Sequence, residues 1–390
     1  MLNKLKKSNG IKLKNNINYE RKIVMRMRLL LIFHKPLKQG DGQTNYLKGL
    51  INVMSQQYDI EIPSEIFYNT FKVEKKNWIL RTLLVNIYLC LWVIKNRKKV
   101  RTNYDLCIME DRYSVIPTFF LIKITKIKLL ARISDWGIGY VETLNFEGRF
   151  PTFIARVLDK FYTHFVLRNS KGAIVPSDYI HQLMQKNFKK PILDFPYVCE
   201  PEAVSDNTKN HTTFRDAKHD IYCVLIGNFN YLPNEEQARY LTKELAPKVK
   251  AADDKIKFII VGAGSYEKFK CLEDENLKSL GRVEDLGIVY RQCHIGINLS
   301  ITKGGTSIKN IEYLVNGLNV ISTPEAAIGV IHSSMLWIAD RNQFSHMILL
   351  ISSTIRNKGK NYNEYEIERI RRYYSDKTIS LKTIDFLKSI

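Results

Sequence analysis

Between Ser300 and Val330 the chain reads SITKGGTSIKNIEYLVNGLNVISTPEAAIGV. A short apolar run there ends in Gly304-Gly305-Thr306-Ser307, and Ile308, Ile311 and Val315 follow at helical spacing. Thr306 or Ser307 suits the N-cap of that helix, and Asn316-Gly317 suits its stop. Glycines let a ligand approach the backbone closely, and the unpaired amides and dipole of a helix N-terminus attract an anion such as a diphosphate. Lys309 falls in the first turn, where its charge opposes the dipole unless an anion is present. Glu312 leaves the same face one turn later. A surface ion pair between Lys309 and Glu312 would explain those two residues equally well. The glycines and the helix start are what suggest an anion cradle.

A cradle of this kind needs strands to carry it. RLLLIF (28–33), YDIEI (58–62), YDLCIM (104–109), KLLARIS (128–134) and GAIVPS (172–177) read as strands, with helical stretches at 43–57, 76–97, 114–124 and 151–168. This alternation predicts a parallel sheet with crossover helices. Residues 199–220, almost without large apolar side chains, read as a linker. A second series follows, with strands at 221–227, 255–262, 294–301 and 319–323 and helices at 234–250, 284–292 and 307–316. The expected organisation is a basic extension over 1–27 without fixed structure, a Rossmann-like domain over 28–198, the linker, and a second Rossmann-like domain over 221–341. Helices over 342–390, including EYEIERIRRYY, would close the chain and cross back to the first domain. Ligands of such sheets sit beyond the carboxyl ends of the strands, so two doubly wound α/β domains would face each other across a cleft.

Composition agrees with this plan. The 390 residues are 45% apolar and 25% charged, as in a globular protein long enough for two cores. The net charge of +21, from 60 Lys and Arg against 39 Asp and Glu, calls for an anionic partner: a nucleotide, a phospholipid surface or a nucleic acid. No helix-turn-helix, zinc-finger or RNP-type pattern is present, so nucleic acid is not expected. The first 28 residues hold nine Lys or Arg and lack the apolar run of a signal peptide, which suggests a cytoplasmic protein. The six cysteines form no CxxC pair, none of the eight histidines has metal-ligand spacing, and no Asp-x-Asp pair occurs, so neither a metal nor a cofactor is expected. The most apolar stretch, Trp78 to Ile94, is interrupted by Arg81 and Asn86 and followed by KNRKKVR. It falls short of the roughly 18 to 20 apolar residues of a membrane span. It reads as a core helix with a basic end suited to its dipole, or as a membrane-surface helix.

GGTSIKNIE (304–312) followed by NVIST (319–323) resembles the motif of glycosyltransferase family 4 (GT4), G-x-G-T-x-x-K-x-x-E followed by P-V-V-S-T. The resemblance extends through IGNFNYLPN (226–234), FIIVGAG (258–264) and LGRVEDLGIVYRQCHIGIN (280–298), essentially the whole second half. RLLLIFHKPLKQGDGQTNYLKGL (28–50) is similar to the family's first strand, Gly-containing loop and helix, and VPSDYIHQLM (175–184) to its strand-Ser-helix segment. The resemblance implies the two-domain GT-B architecture and transfer of a sugar from a nucleotide-diphosphate sugar. It implies that Glu312 holds the donor ribose, that Lys309 meets the diphosphate and that Gly304, Gly305, Thr306 and Ser307 wrap phosphate and sugar. Arg282 would border the base, with Gly227 on the donor side, and Gly40 to Gly42 would approach the phosphates from across the cleft. Gly304 stands where many members carry a second Glu. The resemblance also implies retention of anomeric configuration, and a mechanism without metal is consistent with the residues present.

The acceptor side falls to polar residues at strand ends of the first domain: His34, Glu110 and Asp135 with Trp136. Asp135, beside Trp136-Gly137, suits a sugar face and is with Lys309 the catalytic candidate; an Asp capping a turn explains it as well. A glycan or lipid-linked acceptor fits basic runs at 1–28, 95–101 and 121–132, which would hold the first domain peripherally on the anionic inner face of the cell membrane. Two other functions compete. A nucleotide-sugar epimerase on the same fold would want further His and acidic residues in the cleft. A noncatalytic basic protein binding membrane or nucleic acid would need no cradle.

Overall fold

A computed structural model of the chain describes residues 28–33, 36–37, 42–71, 78–110, 112–134, 152–199, 201, 220–301, 306–359 and 363–390. The first half contains β1 (Arg28–Ile32), α1 (Gly42–Ser55), β2 (Asp59–Glu61), α2 (Pro63–Phe71), α3 (Trp78–Asn103), β3 (Leu106–Glu110), α4 (Val115–Thr125), β4 (Lys128–Arg132), α5 (Thr152–Asn169), β5 (Ser170–Val175), α6 (Asp178–Gln185) and β6 (Ile192–Asp194). The six strands form one parallel sheet in the order β2-β1-β3-β4-β5-β6.

Alternation along the strands sorts the core into two layers. Leu29 and Leu31 of β1 pack with Leu47 and Leu50 of α1, whereas Leu30 and Ile32 pack with Val85 and Leu89 of α3, Leu121 of α4 and Tyr162 of α5. Helix α3 runs to Asn103, six residues past the expected end. KKVRTN contains neither Gly nor Pro, and its basic side chains suit the negative end of the dipole.

The second half contains β7 (Ile221–Ile226), α7 (Leu232–Tyr240), a π-helical turn (Leu241–Leu245), α8 (Ala246–Ala252), β8 (Ile256–Val261), α9 (Ser265–Phe269), β9 (Leu277–Gly281) and α10 (Leu286–Gln292). It continues with β10 (Ile295–Asn298), α11 (Ile308–Val315), β11 (Asn319–Ser322), α12 (Pro324–Ala327), β12 (Leu336–Ile338), α13 (Phe344–Lys358), α14 (Glu364–Tyr374) and α15 (Asp376–Ser389). Its parallel sheet has the order β12-β11-β10-β7-β8-β9. Two doubly wound α/β domains result. The sequence pattern had not indicated α2 or the short strands β6, β9 and β12; strands of three to five residues at or near a sheet edge bury too little to leave a clear alternation.

The closing helices divide between the domains. Phe344, Ile348 and Ile351 of α13 pack on the second sheet, α14 lies against α11, and α15 lies against α1 and β6 of the first domain. The chain therefore crosses between domains twice, and the crossings lie side by side: the Cys199 N–H donates to the Tyr374 carbonyl at 3.0 Å. Gln56 reaches Asp376 at 2.9 Å, and Lys128 reaches the Ile390 carbonyl at 3.0 Å. Residues 1–27 and 202–219 lie outside the described residues.

At the carboxyl edge of the second sheet the loops after β7 and β8 nearly touch. Gly262 has φ +137°, and a Cβ placed there would lie 1.8 Å from the carbonyl oxygen of Gly227. Left-handed φ and contact with backbone together leave no room for adjustment. Gly262→Ala is expected to cost roughly 3 kcal/mol or more of stability. Urea denaturation should show a lower midpoint, and an unchanged midpoint would mean that the two loops are not packed this way.

Candidate functional site

Helix α11 is fixed at both ends by its own sequence. Ser307 is the N-cap, its hydroxyl accepting from the Asn310 N–H. At the other end Gly317 takes φ +79°, its N–H donates to Leu314 and the Leu318 N–H donates to Tyr313, the paired closure of a Schellman motif. A buried polar network fastens the first turn to the sheet. Asn298, ending β10, donates to the Ser307 hydroxyl at 2.8 Å and to the Asn310 carboxamide oxygen at 2.9 Å. Asn310 in turn donates to the Ser322 hydroxyl and the Ala326 carbonyl, both at 2.9 Å. Below the helix the Tyr313 ring lies over Gly296, where a Cβ would come within 2.3 Å of it, and its hydroxyl accepts from the Ile226 N–H at 2.8 Å. These contacts set both the position and the rotation of α11.

The rotation puts Lys309 and Glu312 on one half-buried face. The Lys309 ammonium donates to the Asn234 carboxamide at 3.2 Å. Enclosure by protein pushes its pKa down to about 8, only partly opposed by the Glu312 charge. Asn234 is placed by α7, whose start is tied to the end of β10: Arg341 makes a two-pronged pair with Glu236 at 2.6 and 2.7 Å and donates to the Leu299 carbonyl, while Gln237 accepts from the Leu299 N–H. Gly227 lets Asn234 pack closely, since a Cβ there would lie 3.1 Å from its carboxamide. A cavity of about 130 Å³ opens beside these groups, lined by Tyr231, Asn234, Ser300, Ser307 and Lys309 among others. A larger one of about 420 Å³ lies at the opposite end of α11, among Arg371, Glu368 and their neighbours, away from the helix N-terminus.

Glu312 accepts from two tyrosine hydroxyls, Tyr290 of α10 and Tyr197 in the segment leaving β6, each at 3.4 Å. Tyr197 belongs to the first half of the chain, so the carboxylate sits where the two halves meet. A second meeting point lies at Gly329, with φ +75°. A Cβ there would lie 2.6 Å from Thr306 Oγ1 and 2.8 Å from Oγ of Ser177, the residue before α6. Both hydroxyls are enclosed, with no hydrogen-bond partner among the described residues.

Of the other residues singled out in the sequence, Arg282 is exposed just after β9, and Gly42 begins α1. Glu110 is fully buried at the end of β3, in an ion pair with Arg132, which stacks 4.0 Å from the Tyr46 ring centroid. His34, Gly40, Asp135, Trp136, Gly304 and Gly305 lie outside the described residues. Asn234, Tyr197, Tyr290, Ser177 and Gly329 were not singled out; all but Tyr197 lie inside segments quoted for the family resemblance or the cradle, without a role of their own. Among the described residues one cluster has metal-ligand chemistry: the ligand atoms of Asp178, His181 and Asp194 lie within 4.8 Å of one another. Both nitrogens of His181 are engaged there, with Asp194 and Gln185, each at 2.6 Å.

Residues 220–352 match the family model described as Glycosyl transferases group 1. This stretch is a group 1 glycosyltransferase domain. The chain is thus a transferase enzyme, and the cavity beside Lys309 lies within the matched domain. No curated protein matches the sequence. Among solved structures the chain is similar to a sucrose-phosphate synthase from Thermosynechococcus elongatus, at 14% identity and TM-score 0.68 over 93% of this chain and 99% of that one. It is similar to a glycosyltransferase from Rickettsia africae, at 14% identity and TM-score 0.66 over 94% and 98%. It is also similar to the HepE protein of Anabaena in complex with UDP, at 13% identity and TM-score 0.65 over 94% and 100%. These likenesses are of fold, and the fold is GT-B.

The lowered pKa of Lys309 gives the group 1 domain a testable pH dependence. Between about 8 and the ordinary value of 10.5 the unfolded chain binds the proton and the folded chain does not, so this residue's contribution makes stability rise with pH across that window. Lys309→Met should therefore be more stable than the wild type at neutral pH, with the gap narrowing above pH 8. Denaturation curves across this range measure it; a constant gap would mean that the ammonium is not enclosed.

Proposed function

We propose that the chain transfers a sugar from a nucleoside-diphosphate sugar held at the N-terminus of α11. The observation that carries this is the placement of an enclosed lysine beside a helix start, with a half-buried carboxylate one turn further on the same face. An enclosed ammonium with an amide partner gains most from an anion, since a diphosphate would restore the charge that burial disfavours. The N-terminus of α11 adds its dipole at the same point. Glu312, approached by two hydroxyls at the long end of hydrogen-bond distance, suits the vicinal hydroxyls of a ribose. Solved relatives of this fold bound to UDP and to UDP-glucose support a nucleotide-sugar donor.

Cleavage at the anomeric carbon leaves charge on the departing diphosphate. Lys309 and the helix start stabilise that charge in place, and the group that neutralises it is already oriented before reaction. We assign the leaving-group role to these groups without a metal, and the GT4-like order of residues favours retention. The acceptor is a glycan or lipid-linked hydroxyl, approached from the first domain.

Thermal melting of the protein with UDP, GDP, CDP and ADP and their sugar conjugates tests the donor site, because a ligand of the native state raises the melting point. One nucleotide series should stabilise the wild type. Glu312→Ala should weaken that ligand about tenfold, near the lower range for a hydrogen bond to a charged group. Lys309→Ala should lower turnover without a matching loss of melting temperature. Turnover unaffected by a chelator is expected. Equal affinity and turnover in both variants would remove the assignment.

A further inference from the structure

We infer that the outer faces of α3, α4 and α5 form one surface that seats the first domain on an anionic phospholipid bilayer. The inference concerns where the enzyme works and stands apart from the donor site. The three helices cover the same side of the first sheet in a single core cluster, so their outward faces form one layer. Helices α3 and α4 pack along each other. Arg112, just ahead of α4, pairs with Asp159 of α5 at 3.1 Å and stacks 4.9 Å from the Tyr162 ring centroid, joining the third helix to the layer.

Each helix is apolar on its outer side as well as its inner one. While Val85, Leu89 and Val93 of α3 face the core, Leu80, Leu83, Ile87, Leu91 and Ile94 stand exposed at spacings of three and four. On α4 the exposed set is Ile116, Phe119, Phe120 and Ile124, and on α5 it is Phe153, Val157 and Phe161 at every fourth position. Phe153 is 76% exposed and Leu91 61%. Scattered apolar residues on a surface need no explanation, but twelve on three adjacent helices do.

The charge of the same layer selects the occupant. The three helices carry ten Lys or Arg and one acidic residue, Asp159, which is already paired with Arg112. Lys95, Arg97, Lys98 and Arg101 are exposed at the end of α3, and Lys123 lies 5.6 Å from the Phe119 ring centroid. A protein partner is met by charges of both signs around an apolar centre, whereas one sign around an apolar face fits anionic headgroups over acyl chains. No helix among the described residues is long and apolar enough to cross a membrane, so the contact is with one leaflet. In a parallel sheet the crossover helices begin at the carboxyl edge of the strands, which is the edge that carries ligands. Ile116, Phe119 and Phe153 lie near such helix starts, so the bilayer would border the cleft and deliver an acceptor from its headgroup layer.

The test uses the full chain with sedimented vesicles of phosphatidylcholine, with and without phosphatidylglycerol. The wild type should pellet with the anionic vesicles and be released by salt. Leu83→Ser with Ile87→Ser and Leu91→Ser, and separately Phe119→Ser with Phe120→Ser, should each lower binding by about tenfold or more. These positions are exposed, so melting temperature and its increase with nucleotide should stay as in the wild type. Lys95→Glu with Lys98→Glu should weaken binding and flatten its salt dependence. Absence of wild-type binding at low salt, or full binding by both serine variants, overturns the inference. So does a wild-type dimer that the serine substitutions dissociate, since a second copy would then cover the face.

Discussion

Both amide hydrogens of Asn298 go to the start of α11, one to Ser307 and one to Asn310, and Asn310 passes the connection on to Ser322 and Ala326. Asn298, Asn310 and Ser322 are buried, so their bonds must be made or a buried polar group is left bare. A helix held by apolar contacts alone could slide or roll by a fraction of a turn at small cost. One whose first turn is bonded to the ends of β10 and β11 cannot. The direction of its N-terminus, the enclosure of Lys309 against Asn234 and the approach of Glu312 to Tyr197 all follow from that constraint.

The stretch from Ser300 to Val330 was legible in the sequence because its signals are local: a strand end, a cap, a helical period and a glycine stop within one segment. Its partners were not. Asn234, Tyr197 and Tyr290 meet Lys309 or Glu312 from other elements, brought there by the order of the strands and by a crossing between domains. Glu110 illustrates the limit. As a polar residue at a strand end it was a candidate for the cleft, yet the parallel register sets it opposite Arg132 of the neighbouring strand, and the two pair in the interior. Which residue of the next strand a polar strand end will meet depends on how the two strands align, and a strand end read alone does not name that partner. The same holds for α3, whose two apolar faces read as one ambiguous run until the core claimed one of them.

The large positive charge of the chain divides into two physically different kinds. Lysines and arginines along α3, α4 and α5 are solvated, screened by salt and effective only in number. Lys309 is single and enclosed, and its charge is costly to hold without a counterion. The first kind suits an extended anionic surface, whereas the second suits a single small anion. A net charge summed over the sequence cannot separate them, because burial is a property of the fold.

The return of the last helix also bears on synthesis. Ile379 and Leu387 of α15 belong to the same apolar cluster as Leu29, Leu47 and Leu50, which come from the first strand and helix of the chain. The N-terminal sheet can therefore begin to assemble early on the ribosome, but one flank stays open until α15 has emerged. During that interval α1 shows the nascent environment an apolar flank, the condition in which chaperones bind and aggregation competes. Removal of α15 would uncover α1 and β6 of the first domain while leaving every strand of the second sheet in place.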